Sequence, residues 1–311
     1  MGQPLSSLLL GLAAWIGGML AADVGCAQGL LQGLRDDVRS ADGSSAPQDS
    51  AHDPPAGEDH AKRRERRSGW CDEDDDEDEA ETSFMQGIGK LAFWAAASPV
   101  WLPKTMIDDD AFDPGCFARY PYQCDLDGFL LPDAALDREQ YPELDGECDA
   151  WLVRLRGEYG GDFDDLSRAG GQVLVDSASR WGIDTEANYL CEQPVGEPTD
   201  RLWLGDANVV YRFAQSPKVQ LRTGLGLNWL ADEFGSDWGF NFTYSGDYFP
   251  ADPWILSAEM DWGKLGCAGL FHGRTSVGVH FQRWEVYVGY DYLDIGDTQI
   301  NSAVSGLRFW R

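Results

Sequence analysis

Residues 271–282 read FHGRTSVGVHFQ, and this stretch decides the fold. Its side chains alternate between apolar and polar character along the chain. The odd positions carry Phe271, Gly273, Thr275, Val277, Val279 and Phe281, and the even positions carry His272, Arg274, Ser276, Gly278, His280 and Gln282. Because successive side chains of a β-strand point to opposite faces, this period of two predicts a strand with one apolar and one polar face.

The same alternation continues through residues 151–311. Turn residues divide this region into ten predicted strands, at residues 151–161, 170–177, 181–190, 202–214, 218–230, 238–249, 254–263, 268–282, 284–294 and 300–310. An even number suits a bacterial single-chain barrel. The count falls to eight if residues 171–190 form one strand and residues 151–159 lie outside. We therefore expect an all-β fold, an antiparallel up-and-down transmembrane β-barrel of ten strands with eight as the alternative.

Aromatic and charged residues indicate which face meets lipid. Tryptophans fall at the two ends of the strands, Trp203, Trp229, Trp238 and Trp262 at one end and Trp151, Trp254, Trp284 and Trp310 at the other, with Phe213, Phe249 and Phe281 beside them. Two such levels are typical of the aromatic girdles of a membrane barrel. The polar face carries both charge signs, at Arg154, Arg156, Glu158, Asp176, Arg180, Asp184, Glu186, Asp206, Arg212, Arg222, Glu259, Asp261, Arg274 and Arg308. We expect lipid outside and ion pairs inside, in a lumen filled by side chains.

The predicted turns alternate in length. Short turns are expected at residues 216–218, 250–253 and 282–284, and longer loops at residues 191–201, 232–237, 263–269 and 294–299. Short turns of outer-membrane barrels face the periplasm and long loops face outward. This pattern predicts that both ends of the barrel, and the region before it, lie in the periplasm.

The remaining chain has a different composition. Residues 1–27 are expected to be a signal peptide, because residues 5–22 form an uncharged apolar run that ends in small residues. Residues 28–83, which contain the blocks KRRERR (62–67) and DEDDDEDEAE (72–81), are expected to be a disordered charged linker. Residues 84–148 hold a short apolar segment, residues 84–106, and an irregular periplasmic region. The segment is interpreted as an amphipathic helix on the membrane, a plug on the barrel mouth or a small packed helix. The barrel domain is placed at residues 149–311.

Charge and cysteines limit the function further. The net charge of −29 argues against a nucleic-acid partner, because phosphate binding requires a basic face. Seven cysteines occur, and the six after residue 27 form an even set, as expected in an oxidising compartment. Cys191 with Cys267, and Cys116 with Cys124, are candidate pairs. No spacing predicts a metal site or a cofactor.

The barrel region resembles the small outer-membrane β-barrel class that includes the membrane domain of OmpA-type proteins. The resemblance rests on the alternating strands and on Gly306, Phe309 and Trp310, which are similar to the C-terminal assembly signal of that class, although Arg311 follows them. Residues 224–244 and 257–275 also look like uncharacterised exported barrels of planctomycete bacteria. The resemblance implies outer-membrane lipids and the barrel-assembly machinery as partners, and it implies location and fold without an activity.

Known enzymatic barrels provide the test for catalysis. Lipid A deacylase-like barrels group His, Ser and Glu on the lipid-facing surface, whereas His272, His280, Ser276 and Glu259 all fall on the predicted lumen face here. The Asp-x-His of omptin-type proteases does not occur in the sequence. No catalytic residue is assigned. We expect a structural, non-enzymatic barrel that anchors the N-terminal region, with a small pore or loop-based binding protein and a lipid-modifying enzyme as alternatives.

Overall fold

In a computed structural model, residues 29–40, 115–123, 128–132, 149–162, 165–193 and 199–311 are described. A helix, α1 (Leu30–Arg39), and a two-stranded sheet of β1 (Gly115–Phe117) and β2 (Leu130–Pro132) precede the barrel. The barrel strands are β3 (Trp151–Gly161), β4 (Leu166–Ser177), β5 (Trp181–Glu192), β6 (Asp200–Gln215), β7 (Val219–Asp232), β8 (Gly235–Ala251), β9 (Trp254–Leu265), β10 (Ala268–Phe281), β11 (Trp284–Ile295) and β12 (Thr298–Trp310).

The ten strands close into one antiparallel barrel. Each strand pairs with its neighbours in sequence, and β12 pairs with β3 to close the ring. The closing seam runs from Ala303 opposite Gly161 to Trp310 opposite Arg154. The prediction of a ten-stranded up-and-down barrel is confirmed, and the eight-stranded alternative is wrong because residues 178–180 form a turn between β4 and β5. Closure pairs the two end strands over residues 154–161 and 303–310, as a sheet in lipid requires.

The two ends of the barrel differ in what they carry. The end where β3 begins and β12 stops is called the proximal mouth, and the opposite end is called the distal mouth. Three of the distal connections predicted to be long, at 232–237, 263–269 and 294–299, are two-residue turns. Gly266 and Gly296 take positive φ values of 59° and 61° there, a backbone conformation that favours glycine and allows the strands to continue up to the turn. The turn-length argument for orientation therefore rests on residues 162–165 and 193–199 alone.

The strands divide their side chains between the wall and the lumen as the alternation predicts. Apolar side chains such as Leu225, Leu227 and Val288 are more than half exposed on the outer wall. The charged side chains of the opposite face are buried; Arg274, for example, is 2% exposed. An outer wall of this kind suits hydrocarbon and not water.

Three aromatic residues depart from the prediction, and the first is Phe213, which was expected beside a girdle but is 1% exposed and packs against Tyr244. Phe249 and Trp310 were expected in an aromatic girdle, but both are fully buried inside the proximal mouth. The backbone near Phe249 is irregular, because the pairing of β8 with β9 shifts between Tyr248 and Ala251. Trp310 lies on the inward side of β12, next to the outward-facing Phe309, and its indole N–H donates to Glu285.

Ten residues of the expected disordered region are helical. Residues 30–39 form α1, so the expectation of disorder over residues 28–83 is wrong for this part, while residues 41–83 lie outside the described residues. The spacing of Leu31, Leu34 and Val38 gives the helix one apolar face, and the barrel covers that face. No helix in the described part of the chain combines the length and the apolar character needed to cross a membrane.

Candidate functional site

A network of buried ion pairs fills the middle of the lumen. Glu186 on β5 is its centre, and its carboxylate accepts hydrogen bonds from Arg274 at 2.8 Å, from Arg168 at 3.1 Å and from Arg156. Glu259 on β9 accepts from Arg156 at 2.6 Å and from Arg274 at 3.2 Å. These bonds join β3, β4, β5, β9 and β10 across the barrel axis.

The network extends toward the proximal mouth through two further carboxylates. Asp247 accepts from Arg154 and from Arg222, each at 2.8 Å. Asp176 accepts from Arg222 at 3.0 Å and pairs with Arg212 at 2.5 Å. Buried charges are tolerated when each one finds a partner of opposite sign and further hydrogen bonds. Asp247 and Asp176 meet the first requirement, because each of them pairs with two arginines.

Toward the distal mouth the lumen becomes more acidic. His272 lies between two carboxylates, with Nδ1 3.2 Å from Asp261 and Nε2 2.9 Å from Asp291. Arg168 also pairs with Asp291. A small cavity of about 30 Å³ lies beside them, which is room for roughly two water molecules. This cavity therefore has room for water molecules and not for a sugar-sized solute.

Helix α1 closes the distal mouth. Leu31, Leu34 and Val38 are at most 1% exposed and pack against a ring of aliphatic side chains that the strands supply at this end: Leu166, Leu190, Leu202, Leu204, Leu230, Leu265, Ala268, Leu270, Leu293, Ile295 and Ile300. Each such side chain contributes about 1.5–3 kcal/mol when buried. The helix is therefore part of the barrel's hydrophobic core.

Polar contacts fix the position of α1. The backbone N–H groups of Leu30 and Leu31 donate to the carboxylate of Glu192, at 3.0 and 2.9 Å. A carboxylate at this place satisfies the free N–H groups of a helix start and interacts favourably with the helix dipole. The amide of Cys267, in the turn between β9 and β10, donates to the Val38 carbonyl at 2.9 Å. Both ends of the helix are thus bonded to the barrel.

Two arginines of α1 bind acidic residues at the rim. Arg35 lies 2.5 Å from both Asp200 and Asp232. Arg39 pairs with Asp232 at 2.9 Å and with Asp237 at 2.8 Å. The hydrogen bond to Asp200 raises the pKa of Arg35, in keeping with its two acidic partners.

A short hairpin-like segment closes the proximal mouth. Phe117 and Phe129, from β1 and the residue before β2, are at most 1% exposed and pack against Phe249 and Trp310 of the barrel. Ring centroids of Phe129 and Trp310 lie 5.3 Å apart. The Phe129 amide donates to the carbonyl of Pro217 at 3.1 Å, in the turn between β6 and β7. The lumen is therefore covered by α1 at one end and by this segment at the other.

The residues considered for catalysis are separated or already bonded. Ser276 accepts a hydrogen bond from Arg308 at 2.7 Å, and Glu259 is bonded to arginines. His272 is held by Asp261 and Asp291, whereas His280 lies at the proximal mouth and stacks on Tyr120 with centroids 6.0 Å apart. The four residues form no nucleophile and base pair. In the described part of the chain, no group of three or more His, Cys, Asp or Glu side chains is arranged to hold a metal ion.

The candidate pair of Cys191 with Cys267 is not formed. Cys267 is disulfide-bonded, but Cys191 is free. The proposed bridge between Cys116 and Cys124 involves Cys124, which lies outside the described residues.

Sequence reasoning missed three parts of this site. Arg168 was excluded because β4 was predicted to start at residue 170, and it starts at Leu166. The helical spacing of Leu31, Leu34 and Val38 could have predicted α1, but the many polar residues around it favoured an interpretation as disorder. The contacts of Phe117 and Phe129 with the proximal mouth left no periodic pattern in the sequence.

No family model matches the sequence, and no curated protein matches it. Among solved structures, the NanC porin aligns with 50% of this chain and 98% of its own, at 12% identity and a TM-score of 0.34. The N-terminal β-barrel domain of Pseudomonas aeruginosa OprF aligns with 51% of this chain and 97% of its own, at 11% identity and a TM-score of 0.27. Ail, the attachment invasion locus protein of Yersinia pestis, aligns with 52% of this chain and 96% of its own, at 10% identity and a TM-score of 0.25. These likenesses concern the fold alone.

Proposed function

We propose that this chain is a non-enzymatic β-barrel of the outer membrane that serves as a closed structural anchor for its own N-terminal region. The observation that carries the proposal is the lumen. Its centre is crossed by the ion pairs of Glu186 and Glu259, and its two mouths are covered by α1 and by residues 115–123 and 128–130. A barrel built in this way holds chain segments at both ends and gives solutes no path.

The outer wall supports the membrane location. Exposed tryptophans lie at two levels, Trp203 and Trp238 toward the distal mouth and Trp151, Trp254 and Trp284 toward the proximal mouth. Between them the wall carries exposed Val209, Leu225 and Val288. Tryptophan concentrates at membrane–water interfaces, whereas aliphatic side chains face the hydrocarbon. The proposed partners are therefore outer-membrane lipids and the barrel-assembly machinery. The latter would recognise β12, in which Phe309 faces outward.

The small pore and the loop-based binding protein are disfavoured by particular contacts. A pore would require the Arg156, Arg274, Glu186 and Glu259 layer to be absent. A binding surface at residues 232–237 would require a loop, and this connection is a tight turn. A loop-based binding protein would therefore have to use residues 193–199, the longest distal connection. The similarity to exported barrels of planctomycete bacteria stays a prediction and assigns no activity.

Two measurements on the full chain test the proposal. A closed barrel should remain folded in cold detergent and change its gel mobility only on heating, because its strand edges are paired. Reconstituted in planar bilayers, it should give no steady conductance. Removal of residues 29–40 should leave conductance absent, because the central ion pairs remain. Steady conductance steps in the intact chain would overturn the proposal, and steps that arise only after the removal would identify α1 as the gate of a pore.

A further inference from the structure

The two N-terminal segments of the described chain lie at opposite ends of the barrel. Helix α1 ends at Arg39 in the distal mouth, and β1 begins at Gly115 in the proximal mouth. If the barrel spans a membrane, as proposed above, α1 and β1 contact opposite sides of it. A wholly periplasmic region before residue 149 is incompatible with both contacts. Residues 40–114 must therefore connect the two sides.

The lumen does not provide the route for this connection. Arg156, Arg274, Glu186 and Glu259 bridge the barrel axis, and each is less than 10% exposed. Opening a passage for a chain would separate these buried pairs and leave their charges without partners inside the barrel. The connection therefore passes outside the wall.

The outer wall has a groove at the seam between β12 and β3. Its central part has a volume of about 700 Å³ and is lined on the outer face by Leu155, Gly157, Tyr159, Ser305 and Leu307, with Trp284 and Phe309 at one side. A side chain built on Gly157 would meet no atom within 4 Å, so the floor of the groove is open. Most of its lining is apolar, as a contact surface within a membrane requires.

The groove continues to both mouths. On the distal side it shares Tyr159 and Ser305 with a depression of about 600 Å³ that reaches Asp165 and Gln193. On the proximal side it shares Leu155 and Phe309 with a depression of about 370 Å³ that reaches Ala150 and Arg311. The three parts together run along the seam from one mouth to the other.

One part of the connection has the composition that this groove fits. Residues 84–106, FMQGIGKLAFWAAASPVWLPKTM, contain no acidic residue, whereas the acidic block at 72–81 and Asp108, Asp109 and Asp110 flank them. As a helix, this length would extend ~35 Å, compared with a hydrocarbon core of ~30 Å. Proline is tolerated in membrane helices that have a neighbour to satisfy the freed backbone groups. The segment also ends shortly before Gly115, at the mouth where β1 packs.

We propose that residues 84–106 cross the membrane in the groove between β12 and β3, which places α1 and the β1–β2 segment on opposite sides of the membrane. The charged residues before position 84 then lie with α1 on the distal side. This inference rests on the membrane-spanning barrel proposed above. It adds a specific contact and a topology that a closed barrel alone does not require.

Site-specific photo-crosslinking in the full chain tests the contact. A photoreactive amino acid at Ser305 should crosslink to residues 84–106, as read by mass spectrometry of the digested protein. The same amino acid at Ala207, which is exposed on the outer face of β6, should not. Crosslinks from position 305 to lipid alone would show that lipid fills the groove, and crosslinks between two chains would show a barrel–barrel interface; either result overturns the proposal.

A filled groove and an epitope pair provide independent measurements. The Gly157→Trp variant should reduce the crosslink from position 305 at least several-fold, whereas Ala207→Trp should leave it unchanged. An epitope tag is inserted after Ala46 in one variant and after Ala135 in another. An antibody should bind one of the two tags in intact cells and the other tag only after the outer membrane is permeabilised. Two tags that both require opening would refute the crossing. Unchanged gel mobility and absent conductance in that case would leave the closed barrel itself intact.

Discussion

Replacing Glu186 with glutamine should unfold the barrel at lower denaturant concentration than any exposed carboxylate change. The Glu186 carboxylate accepts hydrogen bonds from Arg274 through both oxygens, at 2.8 Å each, and from Asn188 at 2.6 Å, in addition to the bonds from Arg156 and Arg168. In the Glu186→Gln variant one oxygen becomes an NH₂ group that faces guanidinium donors. The shape is conserved, but the buried negative charge is lost.

The size of the effect follows from this arrangement. Removing one partner of a buried ion pair costs about 3–5 kcal/mol, because the other charge stays buried without compensation. Three guanidinium groups share Glu186, and Arg156 and Arg274 keep Glu259 as a second partner. We therefore expect a loss of about 3–5 kcal/mol in the free energy of unfolding and not a multiple of it.

The assay is urea unfolding of the full chain in lipid vesicles, followed by tryptophan fluorescence and by the gel mobility of the unheated protein. Glu233→Gln is the matched control, because Glu233 lies exposed in the turn between β7 and β8. This change should alter the free energy by less than about 0.5 kcal/mol. Equal unfolding midpoints for Glu186→Gln and Glu233→Gln would refute the claim that the central ion pairs support the barrel.

Three further predictions concern the other parts of the molecule. Leu34→Ala should reduce the free energy that holds α1 in the distal mouth by about 2–5 kcal/mol, because Leu34 is fully buried there. Hydrogen exchange of the α1 amides should then be faster than in the control variant Gln32→Ala, which changes an exposed residue. Unchanged exchange would contradict the docking of α1. Leu225→Arg, on the outer wall, should lower the free energy of unfolding in lipid by about 2–4 kcal/mol. Glu233→Arg, in the turn between β7 and β8, should lower it by only about 0–1 kcal/mol. Similar values for the two variants would argue against lipid contact at Leu225. Without reductant, a maleimide should label the free Cys191 and not the disulfide-bonded Cys267. Mass spectrometry should show that the Cys191→Ser variant carries one label fewer, and a labelled Cys267 would contradict the disulfide.

The sequence by itself determined the strands and their sidedness. A period of two has only two faces, so the alternation of Val277 and Val279 with Ser276 and His280 already separates wall from lumen. Both charge signs on one face also predict ion pairing, because a buried charge requires a partner. The ten strands and the buried arginines follow from this local rule, which needs no knowledge of distant contacts.

Only the tertiary structure decided which charges meet and what closes the two mouths. Glu186 and Arg274 are far apart in sequence, and closure of the ring between β12 and β3 brings them together. Leu31 and Leu34 of α1 become core residues because the distal ends of the strands present a ring of leucines to them. Phe249 and Trp310 turn from expected girdle residues into lumen residues through local pairing and side-chain direction. Such contacts depend on the barrel's closure and diameter, and neither leaves a periodic signal along the chain.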